Sequence, residues 1–147
     1  MIVSYDNLET CEIELTTECG AGCPQCPRNI FGGETVKDLP ICELSLEDIK
    51  KILPVELIKR LKLVYFCGTY GDPIWAREIL PVIKWLREVN SGLEIGLNTN
   101  GSARTEKWWG EIADVLGDNG YVSFSIDGLE DTNHIYRRWT DYNKIIR

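Results

Sequence analysis

Glu18-Cys19-Gly20-Ala21-Gly22-Cys23-Pro24-Gln25-Cys26 follows directly on the strand-like run Cys11-Glu12-Ile13-Glu14-Leu15-Thr16-Thr17. Alternation puts Ile13 and Leu15 on one face of a first strand, read here over Glu12 to Thr16. The glycine-rich loop behind it carries three thiols within eight residues, close enough to converge on one metal centre. A closed structural zinc site takes four ligands. A fully protein-ligated iron–sulfur cube takes four cysteines. Three cysteines leave a coordination position open, and an open position is where chemistry happens.

Outward from this loop, strand-like and helix-like patterns alternate. Ser45 caps a helix that places Leu46, Ile49 and Leu53 on one side, and Pro54 ends it. Val55 to Leu61 adds a turn or two. Leu63 to Cys67 reads as a second strand, apolar throughout and therefore covered on both faces. Ile79, Ile83, Leu86 and Val89 repeat at helical spacing, stopped by Asn90-Ser91-Gly92. Leu93, Ile95 and Leu97 alternate as a third strand. Trp108, Ile112, Val115 and Leu116 mark a helix that ends near Gly117, with both tryptophans, Trp108 and Trp109, assigned to the core. Tyr121 to Ile126 is a fourth strand, followed by a short helical turn from Asp131 or Thr132 and another helix begun at Asp141. Such alternation implies a parallel sheet with right-handed crossovers, whose active sites lie at the carboxyl ends of the strands. Gly68 to Pro73, Asn98 to Gly101 and Asp127-Gly128 all fall at such ends, beside the cysteine loop.

The chain has 147 residues, 44% of them hydrophobic, which is enough for one globular domain over 1–147. The N-terminal residues Met1 to Asp6 carry no basic region and no long apolar core, so no leader is read and a cytoplasmic location is expected. No apolar run approaches a membrane span. A net charge of −7 without a basic stripe argues against nucleic acid as partner. One histidine, His134, supplies poorly any multi-histidine metal site or Ser–His–Asp mechanism. The remaining cysteines, Cys11, Cys42 and Cys67, read as structural, with Cys67 a small buried residue. Any of the three could instead complete a four-ligand zinc site.

The Cys-x3-Cys-x2-Cys spacing at the mouth of a first strand resembles the radical S-adenosylmethionine (radical SAM) enzymes. Further strand-end motifs recur in the family's order. Tyr70-Gly71-Asp72-Pro73 looks like the family's Gly-Gly-Glu-Pro element, with tyrosine and aspartate replacing glycine and glutamate. Thr99-Asn100-Gly101 and Ser125-Ile126-Asp127-Gly128 resemble the elements after the third and fourth strands, and His134 to Arg138 is also familial. Taken alone, each of these is an ordinary turn.

The resemblance implies a partial (β/α) barrel of parallel strands, here the N-terminal part of the core with about four strands. It implies Cys19, Cys23 and Cys26 as ligands of a [4Fe-4S] cluster whose fourth iron is chelated by S-adenosyl-L-methionine. It implies Gly71 and Asp72 at the cofactor's amino group, Asn100 nearby, and Ser125 and Asp127 at the ribose. The implied activity is reductive cleavage to a 5′-deoxyadenosyl radical that abstracts hydrogen from a substrate the sequence does not identify. A reductant such as flavodoxin or ferredoxin is the implied electron source. About three and a half of six βα units are present, so the chain is expected to be a fragment, a short form completed by self-association or a complementary subunit, or a vestige. Two rivals stand beside this reading: a non-catalytic zinc or iron–sulfur module, and an interaction protein that keeps only the fold.

Overall fold

The four strands lie side by side in chain order, all parallel, in the computed structural model, which describes residues 4–147. Residues 1–3, part of the N-terminal stretch read above for the lack of a leader, lie outside the described residues. The strands are β1 (Thr10–Ile13), β2 (Leu63–Phe66), β3 (Glu94–Thr99) and β4 (Gly120–Phe124). Helices α1 (Leu46–Ile52) and α2 (Val55–Ile58) fill the first crossover, α3 (Ile79–Val89) the second and α4 (Glu106–Leu116) the third. Two short helices, α5 (Asn133–Tyr136) and α6 (Tyr142–Ile146), follow β4. Parallel strands with flanking helices are what the alternation predicts, and the partial-barrel arrangement is the one the resemblance implies. No helix among the described residues is long and apolar enough to cross a membrane.

Local chemistry explains where the helices begin. Ser45 and Asp48 form a reciprocal capping box at α1, with Ser45 Oγ accepting from Asp48 N at 3.2 Å and Asp48 Oδ2 accepting from Ser45 N at 3.1 Å. Thr105 caps α4 by accepting from Trp108 N. Gly117, at φ +55°, ends α4 in a conformation that favours glycine.

One face of the sheet packs on the helices. Ile13, Val64, Phe66, Ile95 and Leu97 form a continuous core with Ile49, Ile58, Ile83, Leu86 and Ile112. The opposite face is only partly covered. Leu63 and Tyr65 are half-buried, and the Tyr65 hydroxyl donates to Glu12 Oε2 at 2.7 Å. The expectation that β2 is covered on both faces is therefore corrected: its side chains alternate between a closed face and one lined by polar and aromatic groups.

The first strand also differs from its reading over Glu12 to Thr16. It pairs with β2 only from Thr10 to Ile13, opposite Leu63 to Phe66. The segment Leu15 to Thr17 turns to another partner. Leu44 N donates to Leu15 O at 2.8 Å, Thr17 N donates to Cys42 O at 3.0 Å, and Thr16 bridges Glu43 antiparallel. This side-pairing carries the chain away from the sheet just before the cysteines.

Candidate functional site

Gly71 allows the first two strand-end loops to abut. A Cβ there would lie 1.7 Å from Thr16 O, so only glycine fits between the loop after β2 and the end of the segment after β1. Asp72 then ties the second loop to the third. Its Oδ1 accepts from the Thr99 hydroxyl at 2.7 Å and from Ile74 N at 3.2 Å. Its Oδ2 accepts from Asn100 N at 2.7 Å and Asn100 Nδ2 at 2.5 Å. Burial pushes the Asp72 carboxyl up, and the donors from Asn100, Thr99 and Ile74 pull it back. The carboxylate expected from the resemblance at a cofactor amino group is thus committed, in this arrangement, to joining two loops.

The cysteine loop is shaped by backbone bonds and by two tryptophans. Cys26 N donates to Cys23 O and Asn29 N to Cys26 O, each at 3.1 Å. Asn29 Nδ2 donates to Ala21 O at 3.2 Å from a buried position. Gly20 lies against the Trp75 ring and Gly22 against the Trp139 ring, where added Cβ atoms would come within 2.4 and 2.8 Å of them. Burial pushes the Cys19 thiol up to about 11, against the Ala21 N–H that donates to its sulfur. Cys23 is also raised by burial, opposed by the Arg137 guanidinium, which donates to Cys23 Sγ at 3.5 Å.

A cavity of about 170 Å³ gathers these groups at the carboxyl ends of the strands. Cys19, Cys23 and Cys26 line it from the first loop, Gly71 and Asp72 from the second, Asn100 from the third and Ser125 from the fourth. Ser125 is fixed by its own N–H, which donates to Thr99 O at 2.7 Å. Asp127 does not line the cavity. It pairs instead with Arg137, which does. A larger groove of about 1140 Å³ lies beside β4, bounded by Trp109, Phe124 and Ile145, and holds none of the cysteines.

Thiolates are donors that both zinc and iron–sulfur centres accept. No three His, Cys, Asp or Glu side chains among the described residues close around a single ion. Thiolates sharing one zinc stand about 3.8 Å apart, given Zn–S bonds of about 2.3 Å in a tetrahedron. A polynuclear iron–sulfur centre takes one thiolate per iron, so its ligands spread more widely. Four thiols line the cavity, Cys19, Cys23 and Cys26 from the loop after β1 and Cys67 from directly after β2, and thiolates are the donors that an iron–sulfur centre takes.

Several residues at the site escaped the sequence reading. Cys67, read as a small buried core residue, is half-buried and lines the same cavity; its place directly after β2, just before Gly68, was the available signal. Arg28 is buried beneath the cysteine loop. Trp75 and Trp139 pack on the loop glycines without any motif to announce them. His134 is exposed on α5.

Comparison with known proteins gives relatives of partial length. No family model matches the chain. It is 33% identical over 91 residues to GTP 3′,8-cyclase of Staphylococcus carnosus, covering 60% of this chain and 26% of the cyclase. It is 25% identical over 124 residues to a tungsten-containing aldehyde ferredoxin oxidoreductase cofactor-modifying protein of Pyrococcus furiosus, covering 84% of this chain and 32% of that protein. The chain therefore spans about a third or less of the curated relatives it matches. Among solved structures it resembles BtrN in complex with AdoMet and 2-DOIA, with a TM-score of 0.58 at 18% identity over 83% of this chain and 47% of the other. It also resembles native anSMEcpe with bound AdoMet, with a TM-score of 0.61 at 17% identity over 93% of this chain and 37% of the other. At these identities the structural likeness is one of fold.

Proposed function

We propose that this chain, a member of the radical SAM family corresponding to the N-terminal part of the family's core, binds a [4Fe-4S] cluster and S-adenosyl-L-methionine. The observation that carries the reading is the single cavity onto which three thiols and the three following strand-end loops open. When bound, the cluster supplies the electron for reductive cleavage of S-adenosylmethionine to the 5′-deoxyadenosyl radical that abstracts hydrogen from a substrate.

Cys19, Cys23 and Cys26 are the metal ligands in this reading. The thiols of Cys19 and Cys23, held protonated by burial, give up their protons on loading. Gly71 exposes its backbone to the cofactor's amino end. Asp72 holds Asn100 against the cavity, so it contributes to recognition through the loop it fixes. Ser125 presents a hydroxyl at the fourth strand end. Arg137, paired with Asp127, offers its guanidinium to an anionic group at the cavity mouth. A flavodoxin- or ferredoxin-type protein is the electron donor, and the open β4 side is the place for self-association or a complementary unit.

Anaerobic reconstitution tests the reading. About four irons with matching sulfide per chain, and 5′-deoxyadenosine released from S-adenosylmethionine under dithionite, are expected. One zinc per chain with no cleavage would replace it with the structural-metal reading.

A further inference from the structure

Two charged side chains are buried among the described residues, Arg28 and Asp72, and neither forms an ion pair there. The Asp72 charge is dispersed over four hydrogen bonds. Arg28 has less. One terminal nitrogen donates to Thr17 O and, at 3.5 Å, to Tyr70 O. Arg87 and Arg104 also bind carbonyls without a carboxylate partner, but both are half-buried and water screens them. Arg28 is 7% exposed. A guanidinium removed from water is costly to leave without an anion.

The position of Arg28 indicates which anion answers it. Its two carbonyl partners come from the loops after β1 and after β2, which together form most of the cavity wall. Arg28 itself lines a separate cavity of about 490 Å³. Cys19 is the residue common to that cavity and to the candidate site. A metal core held by three thiolates is anionic, and becomes more so on taking up an electron.

We propose that Arg28 is a positioning residue for the metal centre: it clamps the cysteine loop to the loop after β2, and its buried charge favours the reduced form of a cluster held by Cys19, Cys23 and Cys26. The inference rests on the cluster reading above. Arg28 acts through Cys19 and the two carbonyls and has no direct place in the reaction. Its charge is complementary to the centre in both redox states, and more strongly so after reduction.

The test compares the reconstituted wild-type chain with Arg28→Gln and Arg28→Lys by potentiometric titration followed by electron paramagnetic resonance. Glutamine keeps a donor for the carbonyls but removes the charge; lysine keeps the charge. Arg28→Gln is expected to shift the one-electron reduction equilibrium about tenfold toward the oxidised cluster, a potential about 59 mV lower. Arg28→Lys is expected to recover at least half of that shift. A folded Arg28→Gln chain that assembles no cluster while Arg28→Lys does supports the same role at loading. Equal potentials in wild type and Arg28→Gln, or loss of the cluster in both variants, would overturn the inference while leaving the cluster assignment intact. An Arg28→Gln apoprotein that does not fold would assign Arg28 to the scaffold and also overturn it. A wild-type chain that assembles no cluster would overturn the underlying reading, and this inference with it.

Discussion

Phe66 and Phe124 each close a strand at the edge that carries the loops, yet Phe66 is fully buried and Phe124 is 41% exposed. Phe66 ends β2, which has a strand on either side and is covered on one face by the helices. Phe124 ends β4, at the sheet's edge, where its ring lies against Trp109 and Gly101 and borders the groove beside α6. The same contrast runs through their surroundings. Ile74, Ile83 and Leu97 are sealed, whereas Ile126, Ile135 and Ile146 stand in solvent. The site straddles this division. The thiols, Gly71, Asp72 and Asn100 stand on or beside the sealed part, while Ser125, Asp127 and Arg137 belong to the open part. The thiols therefore rest on stiff supports, and Ser125 and Arg137 on softer ones.

The largest effect should come at the thiols. If the proposed ligation holds, Cys23→Ala reduces iron from about four per chain to under one, because each thiolate would be the ligand of its own iron. Full iron loading in that variant would remove Cys23 from the metal site. Next comes the sealed core. Phe66→Ala should lower unfolding free energy by about 3–5 kcal/mol, read from urea denaturation of the apoprotein. A loss below about 1 kcal/mol would mean that β2 is no better supported than β4.

Asp72→Ala lies between the two regions. It strands the amide of Asn100, the hydroxyl of Thr99 and the amide of Ile74, so a loss of about 1–3 kcal/mol in stability is expected. Affinity for S-adenosylmethionine, measured by calorimetry on the loaded protein, should fall with it. Unchanged stability with weakened cofactor binding would show the carboxylate acting directly on the ligand. The smallest effect on stability belongs to Phe124→Ser, expected at about 0.5–1.5 kcal/mol for the loss of its contact with Trp109. The same change should shift light scattering toward smaller species, since it removes exposed apolar surface beside an unpaired strand edge. Destabilisation equal to that of Phe66→Ala would erase the contrast.

Strands and cysteines were legible because each leaves a local mark. Alternation in Leu93, Ile95 and Leu97, and the spacing of Cys19, Cys23 and Cys26, need no knowledge of distant residues. The end of β1 was misplaced because extended residues look alike whether they pair with β2 or with Cys42 to Leu44. The covering of β2 was overestimated because Tyr65 serves equally well in a core and against Glu12. Arg28 stayed hidden for a different reason. A side chain that binds carbonyls has no complementary residue in the sequence to reveal it, since every residue carries a carbonyl.

The roof over the cysteine loop is made by the far end of the chain. Gly22 N donates to Arg138 O at 2.9 Å, Arg138 donates to Phe31 O and Gly32 O, and Trp139, held at φ +66°, lies on Gly22. Synthesis runs from the N-terminus, so the thiols leave the ribosome long before residues 137–139 do. During that interval Gly20 to Cys26 lacks the cover that Arg138 and Trp139 give it. The final shape of the cysteine loop therefore waits on a contact made 114 residues further along, at Arg137, and on Trp139 settling into a backbone conformation that few side chains adopt.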